Sequence, residues 1–215
     1  MKLSDYSTIA FDCDGVILNS NKVKTNAFYD AALPYGEKNA EALKNYHTQN
    51  GGVSRFKKFQ WFVDSFVEET LRDEAYEQLL TRYADIVEEG LLNCEFNEDL
   101  YELKEKTPNT NWLIVSGGSQ SELRALFEKR DLANLFEGGI YGSPDSKEVI
   151  FERELATENI TLPALFIGDS KYDYFSSNKY GLDFIFLSQW TEVNDWKSFC
   201  EDNNIIHIDF LRSIS

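Results

Sequence analysis

The stretch Ile9-Ala10-Phe11-Asp12-Cys13-Asp14-Gly15-Val16 is an apolar run that ends in two carboxylates and a glycine. A short, continuously apolar segment is typical of a parallel strand buried on both faces, and we predict this strand over residues 8–12. Open α/β folds carry their chemistry at the carboxyl ends of such strands. Asp12 and Asp14 share one side of an extended segment, so one can attack a substrate while the other exchanges a proton. A solvated Asp-Gly turn is the alternative.

Length and composition are those of an acidic globular protein. The chain has 215 residues, of which 42% are apolar, and a formal net charge of −16. Nucleic acids and anionic membranes bind basic surfaces, so we expect neither as a partner. No apolar run approaches the roughly 18 residues of a membrane span. The three cysteines, Cys13, Cys94 and Cys200, match neither a disulfide framework nor a zinc site, and the N-terminus has no signal-peptide pattern, which predicts a cytoplasmic protein.

The chain changes character near residue 91. Residues 19–90 read as mainly helical, with breaks at Pro34-Tyr35-Gly36 and Gly51-Gly52. From about residue 96, helices alternate with apolar strands, which is typical of a parallel sheet. We therefore predict an α/β protein whose Rossmann-like parallel sheet core comprises residues 1–18 and 91–215. A helical cap domain, residues 19–90, is inserted after the first strand in this prediction and lies over the carboxyl edge of the sheet.

The later segments of the core follow from the same pattern. We predict strands at residues 112–115, 138–141, 164–167 and 183–187, and helices at residues 120–129, 148–156 and 176–180. Polar residues that can take part in catalysis or ligand binding lie where several of these segments begin or end. Because the carboxyl ends of parallel strands meet at one edge of a sheet, these residues are expected to lie close together.

Three of these positions suggest phosphate or metal chemistry. Ser116-Gly117-Gly118 offers a hydroxyl and backbone N–H groups that can bind an anion, although helix capping explains the same pattern. Lys147 lies at the start of a helix, where the helix dipole disfavours a cation. Either it neutralises a phosphate or a carboxylate, or it is a surface lysine. Asp169 follows a buried strand that ends at Gly168, and Asp173 lies about one helical turn later. The carboxylates of Asp169 and Asp173 can bind Mg²⁺; alternatively, they form a solvated helix cap.

Together these motifs resemble those of the haloacid dehalogenase superfamily of phosphohydrolases, in order and spacing, over essentially the whole chain. Asp12-Cys13-Asp14-Gly15-Val16 matches the first motif, Ser116 the second, Lys147 the third, and the segment from Gly168-Asp169 to Asp173 the fourth. The position of the helical insert is similar to that in the phosphoglycolate phosphatase and β-phosphoglucomutase branch.

The resemblance implies a mechanism and a cofactor. Asp12 would attack phosphorus to give an aspartyl-phosphate, while Asp14 would protonate the leaving group and then activate water. Mg²⁺ would be held by Asp12, Asp169 and the backbone carbonyl of Asp14. The phosphoryl oxygens would be bound by Ser116, Lys147 and backbone N–H groups near Gly15 and Gly117, with Asp173 orienting Lys147 or a water on the metal.

The cap is expected to select the substrate. Gly51-Gly52-Val53-Ser54-Arg55 is similar to a glycine-rich cap loop of the β-phosphoglucomutase branch, whose arginine reaches into the site. Arg55 and Lys58 are three residues apart and off the apolar stripe of their helix, so we predict that they share an exposed face. They either bind a second anionic group of the substrate, such as a carboxylate or another phosphate, or form a solvated basic helix start.

The predicted function is that of a Mg²⁺-dependent phosphatase acting on a small phosphorylated metabolite, for example a sugar phosphate. By resemblance, Asp14 favours a phosphatase over a dehalogenase, which needs no proton-exchanging partner. A phosphosugar mutase is the alternative, but Lys24 stands where that branch has a histidine, and Gly168 where it has an acidic residue. A non-catalytic, receiver-like phosphate-binding module is disfavoured by the cap and the complete set of motifs. His47 and His207 receive no role.

Overall fold

The structure is a computed structural model that describes residues 2–214. Its centre is a six-stranded sheet in which all paired neighbours run parallel. The strands are β1 (Thr8–Phe11), β2 (Asn111–Ser119), β3 (Gly139–Ser143), β4 (Ala164–Gly168), β5 (Asp183–Leu187) and β6 (Ile206–Ile208). Their order across the sheet is β3-β2-β1-β4-β5-β6, and the predicted α/β fold with a Rossmann-like parallel sheet is confirmed.

The helices fall into two groups along the chain. The first group follows β1 and leads into β2: α1 (Asn21–Ala32), α2 (Glu37–Gln49), α3 (Arg55–Phe66), α4 (Arg72–Asn93) and α5 (Asp99–Lys106). The second group follows the later strands: α6 (Gln120–Lys129), α7 (Lys147–Ala156), α8 (Lys171–Lys179) and α9 (Trp196–Asp202). Within the described residues, no helix is both long and apolar enough to cross a membrane.

The strand order brings the sequence motifs to one place. β1 pairs with β2 on one side and with β4 on the other, so the direction of winding reverses at β1. At such a switch point the carboxyl ends of the strands leave a crevice for a ligand. Asp12 follows β1, Ser116 lies in β2 and Asp169 follows β4, so all three lie at this edge of the sheet.

Helices α1 to α4 pack on one another around aromatic side chains. The rings of Phe28, Phe59 and Tyr83, from α1, α3 and α4, have centroids 4.5, 5.1 and 5.6 Å apart. All three rings are buried, and their cluster is continuous with the apolar residues on one side of the sheet. This packing holds the start of α3, with its basic residues, against the carboxyl edge of the sheet.

Some boundaries differ from the sequence prediction. β2 continues through Ser116 to Ser119, with a register shift against β3, so the serine motif lies in a strand and not at a helix start. Glycine is depleted in strands, so Gly117 and Gly118 lead the sequence prediction to end the strand before them. The sequence does not predict α5, α9 or β6, which are short and, in β6, mostly exposed.

Candidate active site

A buried lysine between two aspartates forms the centre of the candidate site. The backbone N–H of Asp12 donates to Ile167 O at 2.9 Å, which fixes Asp12 at the sheet edge. Lys147 is the first residue of α7, and its Nζ lies 2.9 Å from Asp12 Oδ1 and in contact with Asp173 Oδ1. Asp12 and Lys147 are only 2% and 1% exposed. These ion pairs explain a cation at a helix start, where the helix dipole disfavours it.

Asp173 is fully engaged with protein groups. Its Oδ1 accepts from Lys147 Nζ. Its Oδ2 accepts from the backbone N–H groups of Asp169 at 3.2 Å and Ser170 at 3.1 Å, and from Ser170 Oγ at 2.8 Å. Ser170 and Asp173 form a capping box at the start of α8. This arrangement is compatible with the predicted role of Asp173 in orienting Lys147.

Burial and charge control protonation in this centre. Burial raises the pKa of Asp12 to about 7; Lys147 opposes the rise, while Asp173 and Asp14 add to it. Burial, with Asp173 and Asp12, raises the pKa of Asp169 well above its usual value. Burial alone would lower the pKa of Lys147, but Asp12 and Asp173 attract its charge strongly enough to raise it. The lysine therefore stays an ammonium, and the crowded carboxylates favour a further cation.

Asp14 faces α1. Its Oδ2 accepts from Lys24 Nζ at 2.5 Å, and its Oδ1 accepts from Ser20 Oγ at 2.6 Å. Burial alone would raise the pKa of Asp14, but the charge of Lys24 and these hydrogen bonds lower it. Asp12 and Asp14, two residues apart, thus have pKa values shifted in opposite directions, which is the pattern expected of two carboxylates with different chemical roles.

Gly15 allows Asp169 to approach the first motif. Its φ is +77°, and a Cβ at this position would lie 2.1 Å from Asp169 Oδ2 and 2.4 Å from Asn21 Nδ2. Glycine alone tolerates both the backbone conformation and the approach. The N–H of Gly15 donates to Leu18 O at 2.8 Å, so it is engaged within the turn, and a phosphate contact has to come from a neighbouring N–H.

Asn21 orients Asp169 from α1. Its Nδ2 donates to Asp169 Oδ2 at 2.7 Å and to Trp190 O at 2.9 Å. On the other side, Thr191 Oγ1 donates to the backbone carbonyl of Asp169 at 2.7 Å. The sequence does not identify Asn21 or Thr191, because a single polar residue outside a motif carries no signal of its partner.

The serine motif lies against the loop that precedes α3. Ser116 is completely buried, and its Oγ accepts from the N–H of Gly118 at 3.1 Å, so the hydroxyl can still donate to a ligand. A Cβ on Gly117 would lie 2.2 Å from Gly52 O, so glycine is what permits this loop to touch the strand. Ser119 precedes α6, and its side chain accepts no capping hydrogen bond from the described part of that helix.

Arg55 and Lys58 are buried, and the prediction that they share an exposed face is wrong. They are 6% and 2% exposed. Arg55 forms a two-point contact with Glu122 of α6, with Nη1 3.1 Å from Oε1, and its guanidinium lies 4.6 Å from the ring centroid of Tyr83. Lys58 Nζ lies 2.8 Å from His47 Nδ1 of α2. The face is covered by residues distant in sequence, which helical spacing alone does not reveal.

A partly open cavity of about 60 Å³ lies between the sheet edge and the helices; Ser116, Lys147 and Asp173 are not among the residues that line it. Its sheet side is acidic and its helical side is largely basic and aromatic. The main contributors are Asp12, Asp14 and Asp169 on the first side, and Lys24, His47, Arg55, Lys58 and Tyr83 on the second. Opposed acidic and basic walls suit a small anionic ligand held next to a cation.

The acidic wall fits a divalent cation. Asp12, Asp169 and Asp173 each place one carboxylate oxygen within 4.8 Å of the others. Asp12 Oδ1 is buried and lies 2.9 Å from Lys147 Nζ, in an ion pair that is not aligned as a hydrogen bond. Carboxylate oxygens are the ligands that Mg²⁺ prefers. Because both oxygens of Asp173 are engaged, Asp12 and Asp169 are the side chains best placed to hold an ion.

An acidic crevice at the switch point of a parallel sheet, with a buried lysine, is the site of an α/β enzyme. Residues 6–176 match the family model of haloacid dehalogenase-like hydrolases, and the chain belongs to this family. The family predicted from the motifs is thereby confirmed. No curated protein matches the sequence.

Solved structures share the fold over nearly their whole length. A predicted phosphoglycolate phosphatase from Haemophilus somnus 129pt is 17% identical, with a TM-score of 0.72 over 97% of this chain and 96% of that one. A predicted phosphatase from Clostridium acetobutylicum is 19% identical, with a TM-score of 0.72 over 94% and 93%. A haloacid dehalogenase-like family protein from Streptococcus pneumoniae is 19% identical, with a TM-score of 0.67 over 95% of each chain.

Proposed function

We propose that this enzyme is a Mg²⁺-dependent phosphatase that hydrolyses a small phosphorylated metabolite through an aspartyl-phosphate on Asp12. The observation that carries this proposal is the setting of Asp12: a buried carboxylate that forms an ion pair with the buried Lys147 and lies close to Asp169. Membership of a hydrolase family and a fold shared with proteins named as phosphatases support the same chemistry.

The reaction proceeds in two halves. First, an Asp12 carboxylate oxygen bonds to phosphorus, the bond to the leaving oxygen breaks, and Asp14 gives that oxygen a proton. Then Asp14 takes a proton from a water whose oxygen attacks phosphorus, which frees Asp12 and inorganic phosphate. The lowered pKa of Asp14 keeps the carboxylate ionised, so that it is able to accept the proton. When Asp14 acts as the acid, the negative charge of the phosphoryl group beside it raises the pKa of Asp14 again.

The surrounding groups bind and neutralise the phosphoryl oxygens. Phosphoryl transfer depends mainly on positioning and charge neutralisation. The ammonium of Lys147, the hydroxyl of Ser116 and the N–H of Gly117 are the donors in this proposal. When bound, Mg²⁺ supplies further positive charge; Asp12 and Asp169 would hold it, with the backbone carbonyl of Asp14 as the third predicted ligand.

The helices that follow β1 act as a cap in this proposal. Residues 19–90 form the cap domain, and residues 1–18 and 91–215 form the core. The cap covers the crevice, excludes water and selects the substrate. The cavity of about 60 Å³ has room for roughly four to six water molecules at about 10–15 Å³ each.

Phosphate release from a panel of phosphorylated metabolites tests the proposal. The wild-type enzyme is expected to release phosphate with Mg²⁺ and to stop when EDTA removes the metal, while Asp12→Asn is at background. Asp202→Asn, a change at an exposed aspartate in α9, is the matched control and should behave like the wild type. An enzyme that is inert on the whole panel and binds no Mg²⁺ would contradict the proposal. Isomerisation of a sugar phosphate without phosphate release would replace it with the mutase alternative.

A further inference from the structure

Three buried cations line the helical side of the cavity: Lys24, Arg55 and Lys58. Two of them already have a carboxylate partner. Lys24 pairs with Asp14, and Arg55 pairs with Glu122. Arg55, the residue that the sequence marks for substrate contact, is thus committed to α6.

Lys58 is different, because it forms no ion pair with any of residues 2–214. Its side-chain hydrogen-bond partner in that range is His47, whose Nδ1 lies 2.8 Å from Nζ, and its Nζ lies 5.4 Å from the centroid of the Phe28 ring. The ring of Phe28 also packs against His47, with centroids 4.4 Å apart. A lysine that is 2% exposed is thereby held in one position at the cavity wall.

The chemistry of this pair points to an anion. Burial and then Lys58 lower the pKa of His47 well below its usual value, so the imidazole is neutral and accepts from the ammonium. A neutral acceptor orients a buried cation but does not compensate its charge, and an uncompensated buried charge is costly. Burial and Lys24 accordingly lower the pKa of Lys58 to about 7, and an anion beside it favours the charged form. An anionic group in the cavity supplies that compensation and binds through a charge-assisted hydrogen bond.

We propose that Lys58, oriented by His47, receives a second anionic group on the leaving portion of the substrate, either a carboxylate or a second phosphate. This inference rests on the proposed phosphatase function, because it assigns the substrate class of the same site. It moves the specificity contact from Arg55 to Lys58. Neutral phosphomonoesters are then poor substrates, because they leave Lys58 uncompensated when they fill the cavity.

Three matched probes test this assignment. Ethylene glycol monophosphate ends in a neutral hydroxyl, phosphoglycolate ends in a carboxylate, and ethylene glycol bisphosphate ends in a second phosphate. The wild type is expected to prefer one of the anionic probes over the neutral one by about 10- to 100-fold in kcat/KM, the range of one hydrogen bond to a charged group. The anionic probe that is preferred identifies the second group.

Variants separate Lys58 from the rest of the site. Lys58→Met keeps the length of the side chain, and it should abolish the preference by raising KM for the anionic probe. The neutral probe, which no longer faces an uncompensated ammonium, should be hydrolysed at least as well as by the wild type. Lys58→Arg should restore part of the preference. Lys38→Met, at an exposed lysine of α2, should match the wild type. A wild type without preference, or a preference that survives in Lys58→Met, would overturn the assignment.

A binding measurement keeps this result distinct from the proposed function. Calorimetric titration of phosphoglycolate and of ethylene glycol bisphosphate into Asp12→Asn, and into Asp12→Asn combined with Lys58→Met, requires no turnover. Weaker binding of an anionic probe to the double variant supports the role of Lys58. If each probe binds the single and the double variant with the same affinity, the role of Lys58 is refuted. If the wild type releases phosphate from none of the three probes but Lys58 still governs binding, the phosphatase proposal fails for this substrate class and the anion site stands.

Discussion

Replacing Lys147 with methionine is expected to destabilise the protein strongly. The Lys147 side chain is 0% exposed, and those of its partners Asp12 and Asp173 are 3% and 0% exposed. Methionine keeps most of the volume but leaves two buried carboxylates without their cation. Removing one partner of a buried ion pair costs about 3–5 kcal/mol. In a chain of this size each kcal/mol shifts Tm by about 2–4 °C, so we expect a loss of about 6–20 °C.

Thermal unfolding followed by circular dichroism, with EDTA present, measures this effect. The control is Lys171→Met, because Lys171 forms a 2.6 Å ion pair with Asp195 in which the side chains are 40% and 61% exposed. Solvent screens such a pair, so its loss should leave the midpoint near that of the wild type. Combining Lys147→Met with Asp173→Asn should recover part of the stability, because one unpaired carboxylate is removed. Equal midpoints for Lys147→Met and Lys171→Met would refute the reasoning.

Three other variants test the account at separate points. Gly15→Ala should lower kcat about 100-fold, since its Cβ would displace Asp169 and a shift of about 1 Å at a reacting centre has that effect; near-normal turnover in a steady-state assay would contradict the steric argument. Asn21→Ala should weaken Mg²⁺ binding about 10- to 100-fold, as expected when a group that orients a metal ligand is lost; calorimetry showing an unchanged affinity would exclude this role. Burial, followed by the charge of Lys24, lowers the pKa of Lys58 from 10.5 to about 7. Between these pH values the unfolded chain binds more protons than the folded protein, so the free energy of unfolding rises with pH over this range. Lys58→Met should therefore raise Tm more at pH 6 than at pH 9, and equal shifts in thermal melts at the two pH values would count against a buried, charged Lys58.

The residues at strand ends could be predicted because the fold itself fixes their position. Asp12 and Asp169 directly follow continuously apolar segments, and parallel strands bring such ends to one edge. Ser116 was found by the same logic, although its strand continues beyond it. Lys147 could be recognised because it stands against the helix dipole, and the two aspartates that hold it explain the anomaly.

The helical wall of the site could not be predicted in the same way. Whether a residue in α1, α2 or α3 faces solvent depends on which distant element packs over it. Glu122 covers Arg55 and His47 meets Lys58, and neither pair has a spacing in sequence that reveals the contact. Amphipathic periodicity locates an apolar stripe but not the partner of a polar residue beside it.

Covalent capture of the phosphorylated enzyme tests the central claim most directly. Wild-type protein is mixed with Mg²⁺ and an excess of a substrate that it hydrolyses, and the reaction is quenched in acid during turnover. The protein is then digested with an acid protease and analysed by mass spectrometry. We expect a phosphoryl group on Asp12 in the wild type and none in Asp12→Asn. A phosphoryl group on a different residue, or undiminished phosphate release by Asp12→Asn, would contradict it.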